Sequence, residues 1–226
     1  MNRPVSGSTI CFLFIAIFIS AFSSFGIAEA SEINVQNGTV LNFTVMRKGD
    51  EIGTHVIKFS RSGDRVGVAI KTDIEVKVLF VPVYHFNHQS REVWRAGKLA
   101  KLISNTDDDG KKHVLTIEGK ATALHINGDG NVSTANLESI PASLWHPALT
   151  RPGPAKIINT LDGHLMAVNS VFKGEEKVAV KSGTLLAKHF VMTGELNREL
   201  WYGPDGMLVK ARFKGSDGSV IEYVLK

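Results

Sequence analysis

Eight histidines are the residues of this chain best suited to chemistry: His55, His85, His88, His113, His125, His146, His164 and His189. Imidazoles ligate metals and move protons near neutral pH, so their spacing decides whether they act together. His85 and His88 are three positions apart. On a helix that spacing serves one metal, but on a strand it sends the rings to opposite faces. The segment reads as a strand, which predicts a surface His85 and a partly buried, hydrogen-bonded His88. The only cysteine, Cys11, lies in an apolar N-terminal run and gives the rest of the chain no thiol. No Gly-x-Ser-x-Gly elbow is present. Asp107-Asp108-Asp109-Gly110 begins like a calcium loop but lacks the alternating ligands and the later glutamate of an EF-hand. It reads as a turn, as does Asn127-Gly128-Asp129-Gly130. No Gly-rich loop joins a strand to a helix, so nothing supports nucleotide binding. The sequence therefore assigns no catalytic residue, no metal site and no cofactor.

The aromatic side chains are the better clue. Val66, Val68, Ile70, Thr72, Ile74, Val76, Val78 and Phe80 occupy every even position, while Arg65, Lys71, Asp73, Glu75 and Lys77 occupy odd ones. One face is oily and the other wet, as in an antiparallel sheet with one solvated side. Tyr84, Phe86, His88 and Trp94 continue on a single parity. A strand this long must twist, curl or break at a bulge near Gly67 or Asp73. A curled sheet either fills its concave side with side chains or encloses an apolar ligand. The candidate ligand-binding set is Ile74, Val76, Val78, Tyr84, Phe86 and Trp94, with Trp145 placed to plug the mouth.

These side chains need a scaffold, and the pattern supplies one. Alternation dominates residues 41–126 and again 165–225, punctuated by Lys48-Gly49-Asp50, Ala96-Gly97, Gly174-Glu175, Ser182-Gly183 and Ser216-Asp217-Gly218. The middle, residues 131–156, holds Pro141, Pro147, Pro152 and Pro154 and little alternation. A short helix beginning at Ser139 and limited by Pro147 is expected there. Arg151-Pro152-Gly153-Pro154 is expected to be neither helix nor central strand. Arg91-Glu92-Val93-Trp94 recurs as Arg198-Glu199-Leu200-Trp201, and Gly97-Lys98-Leu99 as Gly206-Met207-Leu208. The expected architecture is thus all-β with minor α: a long curved antiparallel sheet, half-barrel or barrel-like. Two similar halves, about 40–126 and 157–226, are joined by a Pro-rich crossing at 131–156.

The N-terminus reads as a targeting segment. Arg3 precedes an apolar run from Ile10 to Phe18, and Ala28-Glu29-Ala30 gives a small-x-small exit. Residues 1–30 are expected to be a signal peptide and 31–226 a single exported β domain, in the periplasm of a Gram-negative bacterium. A retained anchor is the alternative, because the run approaches the ~20 residues that span a bilayer. The net charge of +4 is scattered, with no basic run interleaved with aromatics, so nucleic-acid binding is not expected. Membrane contact and oligomeric state are left open.

Residues 43–55, from Phe43-Thr44-Val45 through Lys48-Gly49-Asp50 to Gly53-Thr54-His55, resemble the first hairpin of a family of secreted bacterial proteins of unknown function. Asn159-Thr160-Leu161-Asp162-Gly163, Leu200-Trp201-Tyr202 and Asp217-Gly218-Ser219-Val220-Ile221-Glu222-Tyr223 resemble its later signatures. The resemblance implies an all-β periplasmic domain, distantly similar to half-barrels that carry lipids or lipoproteins, and transfers no catalytic residue. Three functions follow as expectations. The first is a non-enzymatic protein holding an apolar or lipid-like ligand in a curved sheet. The second is a structural or interaction module with a filled core and an envelope-protein partner. The third is a hydrolase or metal-dependent enzyme using clustered histidines.

Overall fold

The computed structural model describes residues 35–226; the segment read as a signal peptide lies outside the described residues. All strands belong to one sheet of fifteen. The first meander comprises β1 (Val40–Arg47), β2 (Asp50–Ser62), β3 (Arg65–Val78), β4 (Val81–Arg95), β5 (Lys98–Asp108), β6 (Lys111–Gly119), β7 (Leu124–Gly128) and β8 (Asn131–Ala135). The second comprises β9 (Ile140–Pro141), β10 (Gly153–Ile158), β11 (Leu165–Val180), β12 (Gly183–Gly194), β13 (Arg198–Tyr202), β14 (Leu208–Lys214) and β15 (Val220–Leu225). Each strand pairs with its sequence neighbour, except that β8 does not pair with β9, and β1 pairs antiparallel with β15 to join the two meanders. All pairs are antiparallel but β9 with β10. The all-β expectation holds, as does the wet and oily alternation that produced it.

The sheet must curl almost into a barrel. β8 and β9 are its two edges, yet only residues 136–139 connect them. Such a link spans at most about 18 Å, whereas fifteen strands laid flat would hold their edges on the order of 65 Å apart. The edges approach without pairing, so the curled sheet is not closed. Bulges supply the bend, at Val45/Met46, Val76/Lys77, Val93/Trp94, Phe172/Gly174 and Trp201/Tyr202. The long third strand therefore breaks its register at Val76/Lys77 rather than near Gly67 or Asp73.

The crossing segment enters the curl instead of passing outside it. Ser143, Leu144, Trp145, His146 and Leu149 are buried. Tyr202 donates its hydroxyl to the Leu144 carbonyl at 2.6 Å, and Ser170 donates to that of Leu149 at 3.1 Å. The loop at 159–164 lies against the opposite wall, where Ser104 donates to the Thr160 carbonyl at 2.6 Å. At Gly128 a Cβ would stand 1.7 Å from the Asp162 carbonyl oxygen, so glycine is what permits that approach.

Two local expectations need correction, and a third holds. The short helix does not start at Ser139: Ile140–Pro141 is a strand, and a single 3-10 turn forms at Pro147–Thr150, capped by His146 Nδ1, which accepts from the Ala148 N–H at 3.1 Å. Proline starts that turn instead of ending a helix. The stretch at 151–154 is, as expected, neither helix nor central strand, although Gly153 and Pro154 begin β10. β9 reaches only Ile157 and Ile158, so Pro154 sits on a stretch of β10 that is a free edge and needs no N–H there. Gly174 is no hairpin turn; it follows a bulge inside one continuous β11.

Candidate functional site

The interior has a filled end and a hollow end. At the filled end, Trp145 packs edge-on against Trp94 and Phe59, with ring centroids 5.5 and 5.3 Å apart, and Trp94 stacks on His146 at 4.5 Å. A carboxylate sits among them. Glu92 is 1% exposed and accepts from Trp94 Nε1 at 2.7 Å, from Trp145 Nε1 at 3.1 Å and from the Ser143 hydroxyl. Burial pushes its carboxyl up from the ordinary range, against the pull of those three donors. Its work is to pin the crossing segment to β4.

At the other end, where the turns after β1, β3 and β14 gather, two cavities remain. An inner one of about 310 Å³ touches His55, Ile70, Thr72, Phe86, His88, Leu161, Arg198, Phe213 and Tyr223, among others. A mouth cavity of about 370 Å³ is lined by Ile52, Ile74, Val76, Val83, Tyr84, Phe213 and Ile221, with Arg47 and Asp217 at its rim. They share Phe213. These volumes lie at the lower end of the range for small-ligand sites, about 300–1,000 Å³.

His55, Thr72 and His88 of the inner cavity's lining open a row of alternating histidine and threonine that continues beyond it. The register places His55 opposite Thr72, Thr72 opposite His88, His88 opposite Thr106 and Thr106 opposite His113, across β2 to β6. All five are buried. His55 Nδ1 meets Thr72 Oγ1 at 2.7 Å, and His88 Nδ1 meets Thr106 Oγ1 at 2.8 Å. His113 Nδ1 meets Asp129 Oδ2 at 2.6 Å. Burial holds His55 down to about 3, helped by His88, and holds His88 down to about 4, so both are neutral imidazoles at pH 7. His55 Nε2 is buried and has no hydrogen-bond partner.

Two arginines meet this space differently. Arg47 donates from Nε to Ser219 at 2.9 Å and forms an ion pair with Asp217. Arg198 projects inward from β13, its guanidinium 4.0 Å from the centroid of Phe213, and its Nη1 donates to the Asn197 carbonyl at 2.8 Å.

The residues singled out from the sequence divide between the two ends. Ile74, Val76 and Tyr84 line the mouth cavity and Phe86 the inner one. Trp94 and Trp145 belong to the filled end and border neither cavity. Trp145 is a core side chain and not a plug at the mouth. Val78 is 53% exposed, on a hairpin tip where Leu79 and Phe80 are 88% and 95% exposed. His85 faces outward, 3.3 Å from Asp107 and 3.2 Å from Asp109, while His88 faces inward, as strand alternation requires. Among the described residues no group of three or more His, Cys, Asp or Glu side chains is placed to hold a metal.

Arg198, Phe213, Tyr223 and Thr106 were not singled out as site residues from the sequence, because strands far apart in the chain bring them together; Thr72 was already on the oily stripe of the third strand. The echoed motifs sit on β4 and β13 with opposite facing. Glu92 and Trp94 point inward, but Glu199 and Trp201 point out, pairing with Arg212 and stacking on His189.

Residues 43–226 match a domain of unknown function, DUF6134. No curated protein matches the chain.

Proposed function

The chain belongs to the DUF6134 family, and we propose that within it this protein is an exported, non-enzymatic binder of an apolar, lipid-like ligand, held in the hollow end of the curled sheet. One observation carries the reading. The same inward face that packs indoles edge to edge around Glu92 leaves two neighbouring cavities at its other end, with Phe213 as their common wall and Ile74, Val76, Phe86 and Ile221 around them. Protein interiors close such space unless something fills it. The hairpin tip agrees with this. Val76, Val83 and Tyr84 line the mouth, and the same hairpin carries exposed Leu79 and Phe80 at its end, so an apolar path runs from the surface inward.

The test is native mass spectrometry of the full chain expressed with its leader, together with solvent extraction of the purified protein. A bound apolar species released by extraction is the expected result. A purified protein that carries none, and that takes up neither a fluorescent fatty acid nor a fatty alcohol, overturns the reading.

A further inference from the structure

We infer that the ligand is an amphiphile with an anionic oxygen head group, and that Arg198 receives it; this rests on the binding role just proposed and names the chemistry of its site. A guanidinium carries five donors in a planar fork. Arg198 spends one on the Asn197 carbonyl and rests its face on Phe213, and no carboxylate of the described residues lies within ion-pair distance of it. The contrast with Arg47 is direct, since that arginine at the same end of the curled sheet has Asp217. Arg198 is half-buried, and taking a cation even partly out of water without an anion has a cost. On its inner side Arg198 meets uncharged groups only: neutral His55 and His88, Thr72, the Tyr223 phenol, Asn159 and Thr160. Glu195 and Glu199 border a second cavity that Arg198 also lines, but neither forms an ion pair with it, and Glu199 pairs with Arg212 instead. A carboxylate bound there would satisfy the fork and accept from the unpartnered Nε2 of His55 in its N–H tautomer.

The two ends of such a ligand match the two cavities. Its head would sit in the inner space by Arg198 and the histidine row. Its chain would pass Phe213, the side chain common to both cavities, and run along Ile74, Val76 and Val83 toward the hairpin tip. A neutral lipid would use the second half of this path and leave Arg198 unanswered.

The test compares cis-parinaric acid with the corresponding alcohol, titrated into the full chain at pH 7.5 and read by fluorescence. The acid is expected to bind at least about tenfold tighter than the alcohol, the scale of one charge-assisted pair. Arg198→Gln is expected to remove most of that difference by weakening the acid, with the alcohol unchanged; Arg198→Lys is expected to restore part of it. Equal binding of acid and alcohol by the unaltered protein overturns the inference while leaving the apolar-binding role in place, and needs no variant to read. A preference for the acid that survives Arg198→Gln also overturns it. Failure of both probes to bind overturns the inference together with the role it rests on.

Discussion

Glu92 on β4 and Trp145 in the crossing segment are 53 positions apart, yet the indole N–H of one donates to the carboxylate of the other at 3.1 Å. This contact, with those from Trp94 and Ser143, fixes the crossing inside the sheet and so decides which end of the curl is full. Glu92→Ala leaves two indole N–H groups and a hydroxyl without an acceptor in a dry core. At roughly 1–3 kcal/mol per unsatisfied donor, it should cost at least about 3 kcal/mol in urea unfolding. Glu92→Gln keeps an acceptor of the same shape and should stay within about 1 kcal/mol of the parent at pH 7.5.

The buried histidines predict acid sensitivity with a definite sign. Burial holds His55 to about 3 and His88 and His146 to about 4, against about 6.5 in the unfolded chain. Above pH 6.5 both states are neutral and stability is at its full value. As pH falls below 6.5 the unfolded chain takes up protons that the folded chain refuses. Stability then falls by up to about 1.4 kcal/mol per pH unit for each histidine, down to the folded values. The raised carboxyl of Glu92 works in the opposite direction, gaining stability as pH falls toward its ordinary value. Urea midpoints measured from pH 8 to 4 should be flat and then decline from about 6.5. The decline should be shallower in His55→Gln/His88→Gln and steeper in Glu92→Gln. A decline that begins only below pH 4.5 would mean that carboxylates and not imidazoles govern it.

The loop at 159–164 supplies Asn159, Thr160 and Leu161 to the wall of the inner cavity, and it can lie there because Gly128 has no side chain. Gly128→Ala drives a methyl into the Asp162 carbonyl, and that backbone must retreat. The expected outcome is a loss of about 2 kcal/mol or more in stability. Binding of cis-parinaric acid should weaken further than the stability loss alone explains, because one wall of the cavity has moved. Gly130→Ala, two positions away, meets nothing within 4 Å but carries a left-handed φ of +85°, so it should cost stability without changing binding by the folded fraction.

The oily and wet alternation made most strands legible, since a period of two needs no knowledge of partners. What escaped was everything set by register. His55 and Thr72 are equidistant from the turn at Gly63 and Asp64, and Thr106 and His113 from the turn at Asp109 and Gly110. The histidine–threonine row was therefore implicit in the hairpin lengths, but the bulges at Val76/Lys77 and Val93/Trp94 shift the middle pairs by one and hide it. Glu92 gave a plainer signal: a lone acid on the parity of Tyr84, Phe86 and Trp94, where only a carboxylate with buried donors survives. Trp145 was misplaced because nothing local tells whether a proline-rich crossing lies over a sheet or inside it. Arg198 and Phe213 face each other across neighbouring strands and no local pattern pairs them.

The hairpin tip between β3 and β4 is built against local preference, and that gives the last prediction. Leu79 and Phe80 both take left-handed φ, 48° and 69°, where two-residue turns normally place asparagine followed by glycine. Both are almost wholly exposed. The strain costs on the order of 1 kcal/mol for each residue, and an exposed apolar tip gains nothing from folding. The double substitution Leu79→Asn/Phe80→Gly should therefore raise stability by about 1–2 kcal/mol in urea unfolding. If the tip serves passage of ligand into the mouth cavity beside it, the same variant should load cis-parinaric acid from phosphatidylcholine vesicles more slowly. Its affinity for the free acid in solution should stay unchanged, because neither residue lines the cavity. A gain in stability with unaltered loading would show that the tip is strained for some reason other than ligand entry.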